Sequence, residues 1–140
     1  MDRQRRFEAL TAIPEQAAAG LAELVLDGSL GEVAIITPPT VGMVMARAAD
    51  GARGEVFNLG EVLVTEARVS VDGHEGWGMV LGRAPDHALS VAVVDAGMEA
   101  GHPQRDAIER ELAALAADAA DAASQEWQRI APTRVQFDVF

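Results

Sequence analysis

The segment GWGMVLGRAPDHALSVAVVDAG, residues 76–97, sets an arginine, a histidine and an aspartate into a glycine-rich apolar run. Gly82 and Arg83 stand just ahead of a helix start. Free backbone N–H groups at such a point, with an arginine beside them, can hold a phosphate. The stretch GRAPDHA, however, lacks the glycine spacing and the Lys-Ser/Thr pair of a phosphate loop. Pro85 removes one amide donor and Asp86 adds repulsion, so unaided this is a weak anion site. Arg68 is the second candidate for ligand binding. His87 falls in the first turn of the same helix, as a candidate general base or ligand, or as a helix-start histidine hydrogen-bonded nearby. Asp95, with Val91 and Met98 as its i−4 and i+3 neighbours, is expected to be partly buried. A buried carboxylate needs a partner, and Arg83 or Arg68 is the expected one. A structural ion pair is the first reading of Asp95 and a catalytic acid the second.

The other chemistries are poorly supplied. The three histidines, His74, His87 and His102, are 13 and 15 residues apart, without the short ligand pair of a metal site. No metal and no cofactor are therefore expected on this chain. Cysteine is absent, which removes disulfides and thiolate chemistry. No Ser-His-Asp order or nucleophile elbow occurs. The residues alone support no self-sufficient active site.

The elements that must position these groups follow from periodicity. Phe7, Leu10 and Ile13 lie at helical spacing. Pro14 opens a second helix, with Leu21, Leu24 and Val25 as its stripe and Gly28 as its stop. EVAIITPP and VGMVMARA read as two strands, followed by a turn at Asp50-Gly51. GEVFNLGEVLVTEARVSV reads as a long strand with a kink at Gly60. From Leu63 it alternates, with Thr65, Ala67, Val69 and Val71 on one face. Asp72-Gly73 is a hairpin turn signal. The return strand HEGWGMVLGR places Trp77, Met79 and Leu81 on one face, and Gly76, Gly78, Val80 and Gly82 on the other. A face without side chains lets another backbone come close. The expectation is that protein covers Gly76, Gly78 and Gly82, most directly the helix carrying Leu89, Ala92, Val93 and Ala96. After Gly101, Pro103 starts a long alanine-rich helix that Pro132 should stop. TRVQFDVF then reads as a closing strand, paired either within its own chain or to a partner's sheet. The expected architecture is α+β: an antiparallel meander of about four to five strands with two N-terminal and two C-terminal helices, one domain over residues 1–140.

Composition narrows the partners. The 140-residue chain is 49% hydrophobic with a net charge of −11, the composition of a globular protein whose own field repels nucleic acid and anionic membranes. No apolar run approaches the ~20 residues of a membrane span, and the cytoplasm is the expected location.

One series of residues has a more specific reading. Gly60-Glu61-Val62-Leu63-Val64-Thr65, Gly76-Trp77-Gly78, Gly82-Arg83, His87-Ala88 and Asp95-Ala96, with the ending Thr133-Arg134-Val135-Gln136-Phe137, resembles PhnG. That family is the G subunit of the bacterial carbon–phosphorus lyase core complex. The resemblance extends over nearly the whole chain. It implies a role in phosphonate breakdown: with the H, I and L proteins, attachment of a phosphonate to ribose C1 of a nucleoside triphosphate with release of adenine, before the radical iron–sulfur subunit J breaks the carbon–phosphorus bond. It implies partners (H, I, J and L) and a nucleoside triphosphate and phosphonate at a shared site. It carries over no catalytic residue. Two positions depart from the family pattern. Ala84 stands where an aspartate often follows Gly-Arg, so capping of the next helix must come from elsewhere. Glu66 stands where an arginine often follows the threonine at Thr65. A chain covered by partners is also expected to expose apolar surface and to self-associate when isolated. The alternative to such a subunit is a small stand-alone α+β binding module for an anionic ligand.

Overall fold

The computed structural model describes residues 1–28, 31–49 and 54–135. Among them the order is α1 (Arg3–Ala12), α2 (Glu15–Gly28), β1 (Val33–Ala49), β2 (Val56–Val71), β3 (His74–Leu81), α3 (Pro85–Glu99) and α4 (Arg105–Val135). The class is α+β, with a three-stranded antiparallel meander in the order β1-β2-β3.

Local chemistry sets the boundaries. The Asp2 carboxylate caps α1 by accepting from the Arg5 N–H at 2.8 Å. The helix stops at Ile13 because a residue preceding proline is driven to extended backbone, here φ −78° and ψ 158°. At the β2–β3 hairpin Asp72 and Gly73 both have positive φ, 51° and 82°, as the sequence signal requires. Gly60 has φ +138° and lies beside the register shift that leaves Leu59 between the paired residues Asn58 and Gly60. The expected kink is there.

The core lies between one face of the sheet and the helices. Ala67, Val69 and Val71 of β2 and Val80 of β3 meet Ala88, Val91, Ala92 and Ala96 of α3. Leu21 and Val25 of α2 and Ile108 and Leu112 of α4 close the far side. Gly97 lets α2 and α3 approach, since a Cβ there would stand 2.5 Å from Val25 Cγ1.

Two expectations need correction. Among the described residues the sheet has three strands rather than four to five, because EVAIITPP and VGMVMARA form one strand. Pro38 and Pro39 do not end it, since β1 is an edge strand whose outer side asks for no ladder hydrogen bonds. Two register shifts, between Ile35 and Thr37 and between Thr37 and Thr40, absorb the proline pair. At the other end α4 runs through Pro132, so Thr133, Arg134 and Val135 are helical rather than strand. Pro132 forfeits a single amide donor, and it follows a long alanine-rich run of high helix propensity. The remainder of the expected closing strand, including Phe137, and the Asp50-Gly51 turn lie outside the described residues.

Candidate functional site

The β3–α3 unit carries most of the candidate residues, and its glycine face is a packing face. A Cβ on Gly76 would collide with the carbonyl of Ala92 and the amide of Ala96. One on Gly78 would collide with the Ala88 carbonyl and stand 2.9 Å from Ala92 N. Backbone therefore lies on backbone, and no cradle is left between them. Gly82 departs from the expectation. Nothing lies within 4 Å of its Cβ position, and its φ of +79° shows that the turn into α3 needs a left-handed residue there.

That turn is held by Thr65. Its hydroxyl donates to the Gly82 carbonyl at 2.6 Å and accepts from the Ala84 N–H at 3.0 Å. Ala84 is the N-cap residue and offers no side-chain cap. The buried threonine of β2 thus holds the backbone at the position where a capping side chain is missing. Arg83 is exposed and hydrogen-bonds to no described side chain or backbone group. His87 is half-buried, its Nε2 3.0 Å from the Leu10 carbonyl of α1. Its partner is therefore remote in sequence rather than local. It lines a cleft of about 420 Å³ with Phe7, Val64, Trp77 and Met79.

Asp95 is 4% exposed and is the centre of a polar network. Arg3 donates to it through Nη2 at 2.8 Å and Nε at 3.2 Å, Arg6 through Nη2 at 2.6 Å, and the Trp77 N–H at 3.0 Å. Arg6 Nη2 also donates to Glu99 at 2.6 Å. Burial pushes the Asp95 carboxyl up, but the hydrogen bonds from Arg3, Arg6 and the Trp77 amide, with the charge of Arg6, outweigh it and hold the group below its ordinary value. The bond to Asp95 in turn raises Arg3. The expected partners, Arg83 and Arg68, are not the ones used. Both follow or sit on the sheet, whereas Asp95 faces α1.

Arg68 is exposed and lines a cleft of about 390 Å³ with Arg3, His74, Glu75, Trp77 and Glu99. Arg68 and Arg83 thus occupy different places, and His87 and Asp95 open into different clefts. Trp77 is common to the clefts on either side of α1. Its indole stacks on Phe7 at 5.1 Å between centroids and donates through Nε1 to Glu66 at 2.9 Å. Of the family-motif positions, Gly76, Gly78, Ala88 and Asp95 build the core, Gly60 lies at the irregularity within β2 and Gly82 builds the turn into α3.

Sequence reasoning missed Arg3, Arg6 and the role of His102. A signal existed for Arg6, which precedes Leu10 and Ile13 by four and seven residues and so lies on the inward stripe. His102 is buried, with Nε2 3.0 Å from the Val25 carbonyl and Nδ1 accepting from the Gln104 N–H at 3.1 Å. It joins the end of α2 to the start of α4, and Gly28 is small because a Cβ there would stand 2.6 Å from that ring. Among the described residues no three metal-ligating side chains cluster, and no helix is long and apolar enough to cross a membrane.

Comparison with known proteins identifies the scaffold. The family described as phosphonate metabolism protein PhnG matches residues 1–140. The chain is also similar to the alpha-D-ribose 1-methylphosphonate 5-triphosphate synthase subunit PhnG of Rhizobium meliloti (strain 1021), with 37% identity over 108 residues, 76% of this chain and 68% of that protein. The glycines that seat α3 on β3, the threonine-held turn after them and the buried Asp95 are thus the framework of a phosphonate-metabolism protein, and the chain belongs to the PhnG family.

Proposed function

We propose that this chain is a non-autonomous subunit of a phosphonate ribosyl-transfer enzyme. It assists transfer of a phosphonate to ribose C1 of a nucleoside triphosphate, with release of adenine, by assembling and shaping a site shared with the H, I and L subunits. It brings no cofactor of its own. One observation carries this reading. The buried or half-buried polar groups that could do chemistry, Asp95, His87 and His102, are engaged in bonds that join helices, while large apolar side chains of β1 and β2 are exposed. A chain organised this way spends its polar groups on its own architecture and offers surface to others. When isolated, that surface also favours self-association.

The test is reconstitution. The complete set of subunits is expected to form ribose 1-phosphonate 5-triphosphate, the set lacking this chain to form none, and the pure chain alone to turn over nothing. Turnover by the pure chain that His87→Ala abolishes would replace this reading with that of an enzyme in its own right. The exposed Arg68 beside Arg3 and His74 favours a second reading, a small stand-alone binding module for an anionic ligand. Glu75 and Glu99 in the same cleft oppose it. Calorimetric titration of the isolated chain with a nucleoside triphosphate separates the two.

A further inference from the structure

On β2 burial begins only at Val64. Outward of that point, residues 41–49 of β1 and 56–63 of β2 form a two-stranded ribbon whose large apolar side chains no described helix buries. Most of its large side chains are apolar, with Arg47, Asn58 and Glu61 as the polar ones. Met43 is 61% exposed and Leu59 66%, and Met45, Val56 and Phe57 are exposed as well. Apolar side chains stand on both faces, and the charged Arg47 and Glu61 share one of them. Val41, Met43 and Met45 point one way with Leu63; Val44 points the other way with Val62, as does Phe57, paired with Ala48.

We propose that this ribbon is an arm that inserts into a cleft of a different subunit, apolar at its floor and basic at its rim. The inference rests on the reading of the chain as an assembly subunit and says which surface does the assembling. Area decides against a single flat contact. Nine residues of strand extend about 30 Å and two strands span about 10 Å, so each face offers roughly 300 Å². A stable interface needs about 800 Å² per partner. Only enclosure of both faces and the edges approaches that figure. A second copy of this chain encloses neither. Edge-to-edge pairing of two β1 strands leaves all faces in water, and face-to-face stacking hides one face of each. Charge also decides, because each copy carries −11 and repels another copy at long range, whereas a basic rim is attracted.

Methionine oxidation in the assembled complex reads this without altering the fold. Met43 and Met45 of the isolated chain, diluted until it is monomeric, are expected to oxidise readily, and roughly tenfold more slowly once the other subunits are bound, because oxidation follows exposure. Cross-links from the ribbon should reach another subunit. The variant combining Met43→Ser, Met45→Ser and Phe57→Ser should keep the helical signal and melting temperature of the parent and fail to co-purify with the other subunits. Added salt should slow association. If the unaltered chain does not assemble with those subunits, the functional reading falls and the arm falls with it. If it assembles while Met43 and Met45 stay reactive, or while the triple variant assembles as well, the arm alone is overturned. Protection that comes from ribbon-to-ribbon cross-links between two copies, or association that speeds up with salt, overturns it in favour of a second copy.

Discussion

Arg6 donates to Asp95 across 2.6 Å, with 2% of one side chain and 6% of the other left in contact with solvent. The pair ties the N-terminal helix to the third. Breaking a buried pair on one side costs more than its formation contributes, since a desolvated charge is left behind. Asp95→Asn should therefore lower stability by about 3 kcal/mol or more. Arg6→Met should cost less, because Asp95 keeps Arg3 and the Trp77 N–H. Urea denaturation of the two variants measures both.

The same carboxylate makes stability depend on acidity. Its pKa is below the ordinary 3.8 when folded. The unfolded chain therefore takes up this proton first as pH falls. The contribution of Asp95 is complete well above 3.8 and is lost as pH drops from there through the lower folded value. Unfolding curves between neutral pH and strong acid should show the parent losing stability in that lowest range. Asp95→Asn should show a shallower decline there. An identical slope in both proteins would remove Asp95 from the account.

Two glycines of one strand region should respond differently to substitution. Gly78→Val pushes β3 off α3, because backbone atoms of Ala88 and Ala92 occupy the space. The expected cost is about 1–3 kcal/mol from overpacking, with a matching fall in melting temperature and in complex assembly. Gly82→Ala meets no atom within 4 Å but must hold φ at +79°. Its cost should be about 1 kcal/mol, from backbone conformation alone. If Gly78→Val leaves stability and assembly intact and abolishes ribosyl transfer, the close-packing account is wrong and a ligand lies there.

Thr65→Val keeps shape and removes the hydroxyl that bridges Gly82 and Ala84. A loss of about 1–3 kcal/mol is expected, since the Ala84 N–H then has no acceptor there. Thr65→Ser should recover most of it. Amide exchange at Ala84 should rise in the valine variant and not in the serine variant.

The helices and the hairpin were legible because their signals are local. Leu10 and Ile13 sit one helical turn apart, and Asp72-Gly73 specifies its own turn chemistry. The glycine face was legible for Gly76 and Gly78 because strand periodicity and the small residues of α3 point to the same contact. Gly82 broke the pattern, since the strand ends at Leu81 and the next residue belongs to a turn. The partners of Asp95 and His102 were not legible. Arg6 lies 89 residues from Asp95 and Val25 lies 77 residues from His102, and no periodicity reports contacts at such separations. The joining of two apparent strands into β1 was hidden for another reason. A proline pair reads as a stop unless the strand is known to be an edge, and that is a property of the whole sheet.

The tie between Arg6 and Asp95 has a consequence for synthesis. The first helix leaves the ribosome long before the segment that receives it. At about 5–20 residues per second, several seconds pass between Arg6 and the arrival of Asp95 and Glu99. During that interval Leu10 and Ile13 have no core to enter, and the arginines at positions 3, 5 and 6 keep the nascent segment charged and hydrated. The first helix is thus made well before the residues it docks against, and it docks only after they appear. Any truncation upstream of Glu99 leaves it exposed for a cell's quality control to find.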